Sequence, residues 1–119
     1  FDGTTVTMPD TPENQHAYPQ VYNQKPGTGF PIARVGAMTS LSCGAILNLG
    51  VCRYAGKGQG EVSLLRRLWD ILHPGDVLLT DRLMANWTNI FLLKERGIEL
   101  VTFQNLLAQA EIGERRVGK

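Results

Sequence analysis

Two aspartates stand where the strands of a sheet would present them, and their type and position suit them to chemistry. Asp2 opens a strand-like segment, and Asp81 directly follows the apolar run at residues 77–80. A carboxylate at the end of a buried strand costs desolvation free energy unless another group offsets its charge. Two carboxylates brought together by strand pairing would bind a hard divalent cation such as Mg²⁺. The pair indicates phosphoryl transfer on nucleic acid, although a third carboxylate is not evident.

The other acids have structural explanations. Glu61 follows a glycine-rich loop and opens the clearest helix, where the helix dipole favours a negative charge. Surface positions explain the three other glutamates that could supply a third metal-binding acid, Glu99, Glu111 and Glu114. Asp81 itself has an alternative role as the N-cap of the helix that follows it. Asp2 could likewise form only a local turn beside Gly3.

Five cations are candidates for contacts with DNA phosphates: Lys25, Arg34, Arg53, Lys57 and Arg82. Lys57 lies within the glycine-rich segment 56–60, which lacks the spacing of a phosphate-binding P-loop. Arg82 follows the second aspartate and could contact a phosphate or pair with a carboxylate. The alternative for the others is that they are solvated surface charges.

The amino-acid composition sets few limits on the fold or the function. The chain has 119 residues, a net charge of +1 and 43% hydrophobic residues, which suits a single domain with a moderate core. That charge neither requires nor excludes nucleic acid. No apolar run is long enough to cross a membrane and no secretion signal is present, so we expect a cytoplasmic protein, cut from a longer one. Cys52 should lie opposite Arg34 in a hairpin and not opposite Cys43, so we expect no disulfide between the two cysteines and predict two small buried side chains.

The pattern of apolar residues predicts the elements that would carry the aspartates. Strands are expected at residues 1–8, 32–41, 45–53, 77–80 and 98–103, and the fourth should be buried on both faces. Helices are expected at residues 61–72 and 85–96, with Trp69 and Trp87 in the core. A helical turn should follow Thr11, within a long proline-rich connection, and residues 104–116 form a weaker helix or a tail.

This order predicts an α/β fold. An antiparallel hairpin portion precedes parallel βαβ units, giving a mixed sheet with helices on its faces. In such a sheet the first strand can lie beside the fourth. Asp2 and Asp81 would then be within reach of one or two metal ions.

Several spaced segments resemble the catalytic domain of bacterial insertion-sequence transposases of the DDE type, in the IS-four group. They are residues 2–15, 18–20, 24–27, 29–34, 54–61 and 74–82, and the resemblance covers residues 1–103. It implies a ribonuclease-H-like fold in which Asp2 and Asp81 are the first two catalytic acids, binding two Mg²⁺ or Mn²⁺ ions. The implied activity is DNA transposition, a form of DNA recombination, by strand cleavage and transfer at the element's ends.

The resemblance also implies what these residues lack. The family's third acid is a Glu in a downstream helix with a Tyr-Arg-Glu-Lys signature, and the family has an N-terminal DNA-recognition part. Residues 1–119 are therefore expected to be a partial catalytic domain, inactive alone, whose parent acts on double-stranded DNA at the bacterial nucleoid. Partners could include a second copy or a complete transposase. The alternative is a non-catalytic remnant or a module that binds DNA or a transposase.

Overall fold

The computed structural model describes residues 1–102, and the chain divides into two compact units, Phe1–Ile71 and a second that begins at Leu72. Within residues 1–102 the fold is mixed α/β: the first unit holds a three-stranded antiparallel sheet and the second a two-stranded parallel sheet. Among the described residues, no helix has the length and apolar character needed to cross a membrane.

The first sheet has the strand order β1-β2-β3. Its strands are β1 (Asp2–Thr7), β2 (Ile32–Thr39) and β3 (Ile46–Arg53). The predicted hairpin joins β2 to β3, and its register sets Arg34 opposite Cys52, as the sequence predicted. Between β1 and β2 lies α1 (Pro12–Ala17), whose first turn is capped by the Thr11 hydroxyl.

Helix α2 (Glu61–Leu68) lies against one face of this sheet and continues into a 3₁₀ turn, Trp69–Ile71. Its close approach depends on a row of glycines paired across the strands, Gly3, Gly36 and Gly50. A methyl group built on Gly36 or Gly50 would lie 2.7 Å from a carbon of Leu64. Leu64, Leu65 and Leu68 are buried here and form much of the core of this unit.

The described part of the second unit is a βαβ element. Strands β4 (Val77–Thr80) and β5 (Glu99–Thr102) pair in parallel through α3 (Trp87–Glu95), after a short 3₁₀ turn at Arg82–Met84. Gly97 has a φ of +77°, the left-handed conformation that glycine adopts without strain, and it ends α3.

Some sequence predictions need correction. The strands form two hydrogen-bonded sheets where one was expected. Strand β4 is not buried on both faces, because Val77 is 62% exposed while Leu78 is buried. Trp87 is 76% exposed and stacks on Phe91, whereas Trp69 is buried as predicted. The cysteines are both free, but only Cys52 is buried. The predicted helix or tail at residues 104–116 lies outside the described residues.

Candidate functional site

Asp2 is the first residue of β1 and is exposed. Its Oδ1 accepts a hydrogen bond of 2.9 Å from the backbone N–H of Gly3, its neighbour in sequence. Asp2 pairs with Ala37 of β2, and Ala37 pairs with Leu49 of β3, so these side chains share one face of the sheet. This is the face opposite to the one that α2 covers.

Asp81 follows the last residue of β4 and is also exposed. Its Oδ1 accepts a hydrogen bond of 3.2 Å from the Leu83 N–H and caps the 3₁₀ turn, the capping role that the sequence left open. Directly before it, Thr80 is fully buried, and its hydroxyl has no hydrogen-bond partner among the described residues. Capping fixes one oxygen of Asp81 and is compatible with metal binding through the other.

Glu61 lies on the other face of the sheet from Asp2. Its Oε1 is 2.9 Å from the position that a β-carbon on Gly3 would occupy, so the carboxylate lies directly over Gly3. Successive residues of a strand point to opposite faces, so Asp2 points away from Glu61. Within residues 1–102 no group of three or more acids, histidines or cysteines could hold a metal ion. The contacts that Glu61 makes within the first unit give it a structural role.

That role is to position Arg34. The Arg34 Nη1 is 3.5 Å from Glu61 Oε1, and Nη2 donates a 3.1 Å hydrogen bond to the carbonyl of Tyr54. The guanidinium carbon also lies 5.0 Å from the centre of the Tyr54 ring, in a cation–π contact. With its side chain only 20% exposed, Arg34 is engaged within the protein. Its predicted contact with DNA would require these interactions to be shared or broken.

The other predicted cations lie at the surface. Arg53 ends β3, and its Nε donates a 3.0 Å hydrogen bond to the carbonyl of Ala17. Lys57 and Lys25 are exposed loop residues, and Arg82 is exposed at the start of the 3₁₀ turn after Asp81. Arg53 also lines an open cleft of about 460 Å³ with Tyr22 and Tyr54.

Sequence reasoning missed the residues that organise the long connection between β1 and β2. The carboxamide of Gln20 donates to the carbonyls of Gln24 and Lys25, and its oxygen accepts from the Gly29 N–H. Gln15 donates to the Gly29 carbonyl and to Asp10. Glutamines in a proline-rich segment gave no signal for this, because a side chain that bonds a loop backbone has no sequence period.

Comparison with protein-family models, with curated proteins and with solved structures finds no match for this chain.

Proposed function

We propose that this chain is part of the catalytic domain of a DDE-type insertion-sequence transposase with a ribonuclease-H-like fold, and that Asp2 and Asp81 are two of its metal-binding acids. The observation that carries the proposal is the element order: an antiparallel β1–β3 sheet beginning at Asp2, then a parallel βαβ unit with Asp81 directly after β4. The parent protein would act on double-stranded DNA in the bacterial nucleoid.

The single sheet is the part of this fold that stays a prediction. The proposed ribonuclease-H-like fold has one mixed sheet, whereas the strands of residues 1–102 form two, with the order β1-β2-β3 in the first and β4-β5 in the second.

The two carboxylates suit the proposed ions. Each has one oxygen held by a neighbouring backbone N–H, and the second oxygen accepts no hydrogen bond within the described residues. Carboxylate oxygens from one or two side chains, completed by substrate phosphates, are typical Mg²⁺ ligands. Bound ions would activate water or a 3′-hydroxyl and stabilise the leaving oxygen. Two acids alone hold such ions weakly, so we expect residues 1–119 to be inactive in isolation.

The test is Mn²⁺ calorimetry on the wild type, Asp2→Asn, Asp81→Asn and the double variant. A shared site predicts strong non-additivity, in which each single variant loses nearly as much binding as the double. Asp10→Asn, which removes another exposed carboxylate of the first unit, should leave binding unchanged. Additive losses, or binding that survives both substitutions, would refute the shared site. DNA nicking in Mn²⁺ that Asp81→Asn abolishes would refute the expectation of inactivity.

A second candidate function is a non-catalytic module that binds DNA or a complete transposase. It is favoured by the exposed apolar side chains on the Asp2 face of the first sheet, Leu47, Leu49 and Val51. An exposed apolar face of this kind often marks an interaction surface. Co-purification with a complete transposase, lost on Leu49→Lys and retained in Asp81→Asn, would favour the module over the enzyme.

A further inference from the structure

Tyr22 lies at the junction of two open clefts in the first unit. One, of about 460 Å³, is lined also by Arg53, Tyr54 and Gly56. The other, of about 420 Å³, is lined also by Asp10 and Gly27. Tyr22 is 84% exposed, so its ring is accessible from solvent at this junction.

The loop that carries Tyr22 is stabilised by hydrogen bonds between its own residues. The Gln20 carboxamide bonds three backbone groups, at Gln24, Lys25 and Gly29, with donor–acceptor distances of 3.2, 2.8 and 3.3 Å. Gln15 Oε1 accepts from the Gln20 N–H at 3.1 Å. The exposed ring is therefore presented on an ordered loop, which lowers the entropy lost when a ligand binds.

The part of the larger cleft that Arg53 and Tyr54 line is also fixed. Arg53 is held through its Nε by the Ala17 carbonyl and through its backbone N–H by Gln59 Oε1, at 3.0 and 2.9 Å. Tyr54 is held from within by the guanidinium of Arg34. These contacts leave the two terminal nitrogens of Arg53 without a hydrogen bond or carboxylate partner among the described residues.

The charges favour an anion in the larger cleft. Arg53 lines it and exposed Lys57 follows Gly56, whereas the carboxylate near Tyr22, that of Asp10, lines the other cleft and bonds Gln15. Single-stranded nucleic acids are bound where aromatic rings stack on bases beside cations that contact the backbone. An aromatic ring and a guanidinium lining one cleft meet both requirements.

We propose that this cleft binds single-stranded DNA, with a base stacked on Tyr22 and the adjacent phosphate bound by Arg53. This single-strand site would be a surface distinct from Asp2 and Asp81. Its assignment to DNA, as opposed to RNA, rests on the proposed function. In a reaction that cleaves strands, such a cleft would hold an unpaired strand.

The test is fluorescence anisotropy with labelled oligothymidine of eight nucleotides, in EDTA, so that binding does not depend on the metal site. Tyr22→Ala should weaken binding about tenfold, as expected for the loss of one base–aromatic stack, while Tyr22→Phe keeps the ring and the affinity. Arg53→Gln should lower the slope of log K against log salt by about 0.7, the contribution of one phosphate contact on a single strand.

Trp87→Ala and Lys94→Gln, which remove an exposed ring and an exposed cation from α3, are the matched controls and should leave both quantities unchanged. Circular dichroism verifies that the Tyr22 variants are folded. The proposal is overturned if the wild type does not bind the oligonucleotide, if Tyr22→Ala binds like wild type, or if duplex DNA binds more tightly than the single strand. Mn²⁺ calorimetry remains an independent measure of the acids, so either proposal can fail without the other.

Discussion

Gly36→Ala should destabilise the first unit although it adds only one methyl group. Without a clash, alanine in place of glycine stabilises a protein by about 0.4–1 kcal/mol, because it restricts the unfolded chain. At Gly36 the new carbon would lie 2.7 Å from Leu64 Cδ2, 2.9 Å from Phe1 Cε2 and 3.0 Å from Leu64 Cγ. Carbon atoms in contact are normally about 3.5–4.0 Å apart. The sign of the effect therefore depends on whether Leu64 and Phe1 can move.

Leu64 cannot move easily, because its other methyl group faces Gly50. Its Cδ1 is 2.7 Å from the position of a β-carbon on Gly50, and the side chain is 1% exposed. Rotation away from Gly36 would bring it into β3, so the helix must shift. Overpacking of this kind costs about 1–3 kcal/mol. With a urea m-value of about 1–3 kcal/mol/M, the unfolding midpoint should fall by about 1 M.

The assay is urea unfolding followed by the fluorescence of buried Trp69, in a Trp87→Phe background. Gly60→Ala is the control, because Gly60 has a negative φ and nothing lies within 4 Å of its added carbon. Its effect should stay below about 1 kcal/mol. Gly36→Ala should also cost less when Leu64 is already alanine, since only the contact of 2.9 Å with Phe1 Cε2 then remains. An unchanged or raised stability for Gly36→Ala would show that α2 does not approach the sheet as closely as described.

Three further predictions concern single buried or reactive groups. Thr80→Val should leave stability unchanged or raise it, measured by thermal unfolding, because it removes a buried hydroxyl without a partner in the described residues; a loss above about 1 kcal/mol would mean that the hydroxyl is bonded. Asn89→Ala should cost about 1–3 kcal/mol in urea unfolding, because Asn89 Nδ2 donates a 2.8 Å bond to the buried Met84 carbonyl; Asn48→Ala, which loses a partly buried bond to Leu68, should cost less. The Cys43 thiol has a lowered pKa, caused mainly by the backbone N–H of Ala45 and then by the Ser40 hydroxyl. Because a lower pKa gives more thiolate at neutral pH, iodoacetamide should label Cys43 in the folded protein and spare buried Cys52. Ser40→Ala should raise the pH at which the labelling rate of Cys43 is half-maximal. Equal labelling of both cysteines would contradict this prediction.

Local patterns in the sequence predicted most elements of the fold. Strand β4 at residues 77–80, the hairpin register of Arg34 with Cys52, and the N-cap at Thr11 are confirmed, because apolar period, turn residues and capping chemistry act within a few positions. The predicted helix at 61–72 is also present, but its last turn tightens into a 3₁₀ segment from Trp69.

Features that depend on distant residues were not predictable in this way. Trp87 lies on an apolar-looking helix, and the sequence could not tell that its face is solvent-exposed. The contact between Arg34, Tyr54 and Glu61 joins residues from a strand, a loop and a helix. The row of glycines across the strands could have been predicted from the sequence, because the correctly predicted hairpin register already paired Gly36 with Gly50. The shared metal site of Asp2 and Asp81 stays a prediction.

The face of the sheet that carries Asp2 determines where a partner carboxylate can come from. Glu61 lies on the opposite face, whereas Ala37 is paired with Asp2 on the same face. Directly opposed residues have β-carbons about 4.5–5.5 Å apart, close enough for two carboxylates to share an ion. Ala37→Asp should therefore tighten Mn²⁺ binding by at least about threefold in calorimetry, even in the Asp81→Asn background. Leu49→Asp, which adds a carboxylate one strand further away, should not tighten Mn²⁺ binding. Equal gains in affinity from the two substitutions would show that the added charge alone is responsible. A gain specific to Ala37→Asp would mean that any acid completing a site with Asp2 must approach from the face that α2 leaves uncovered.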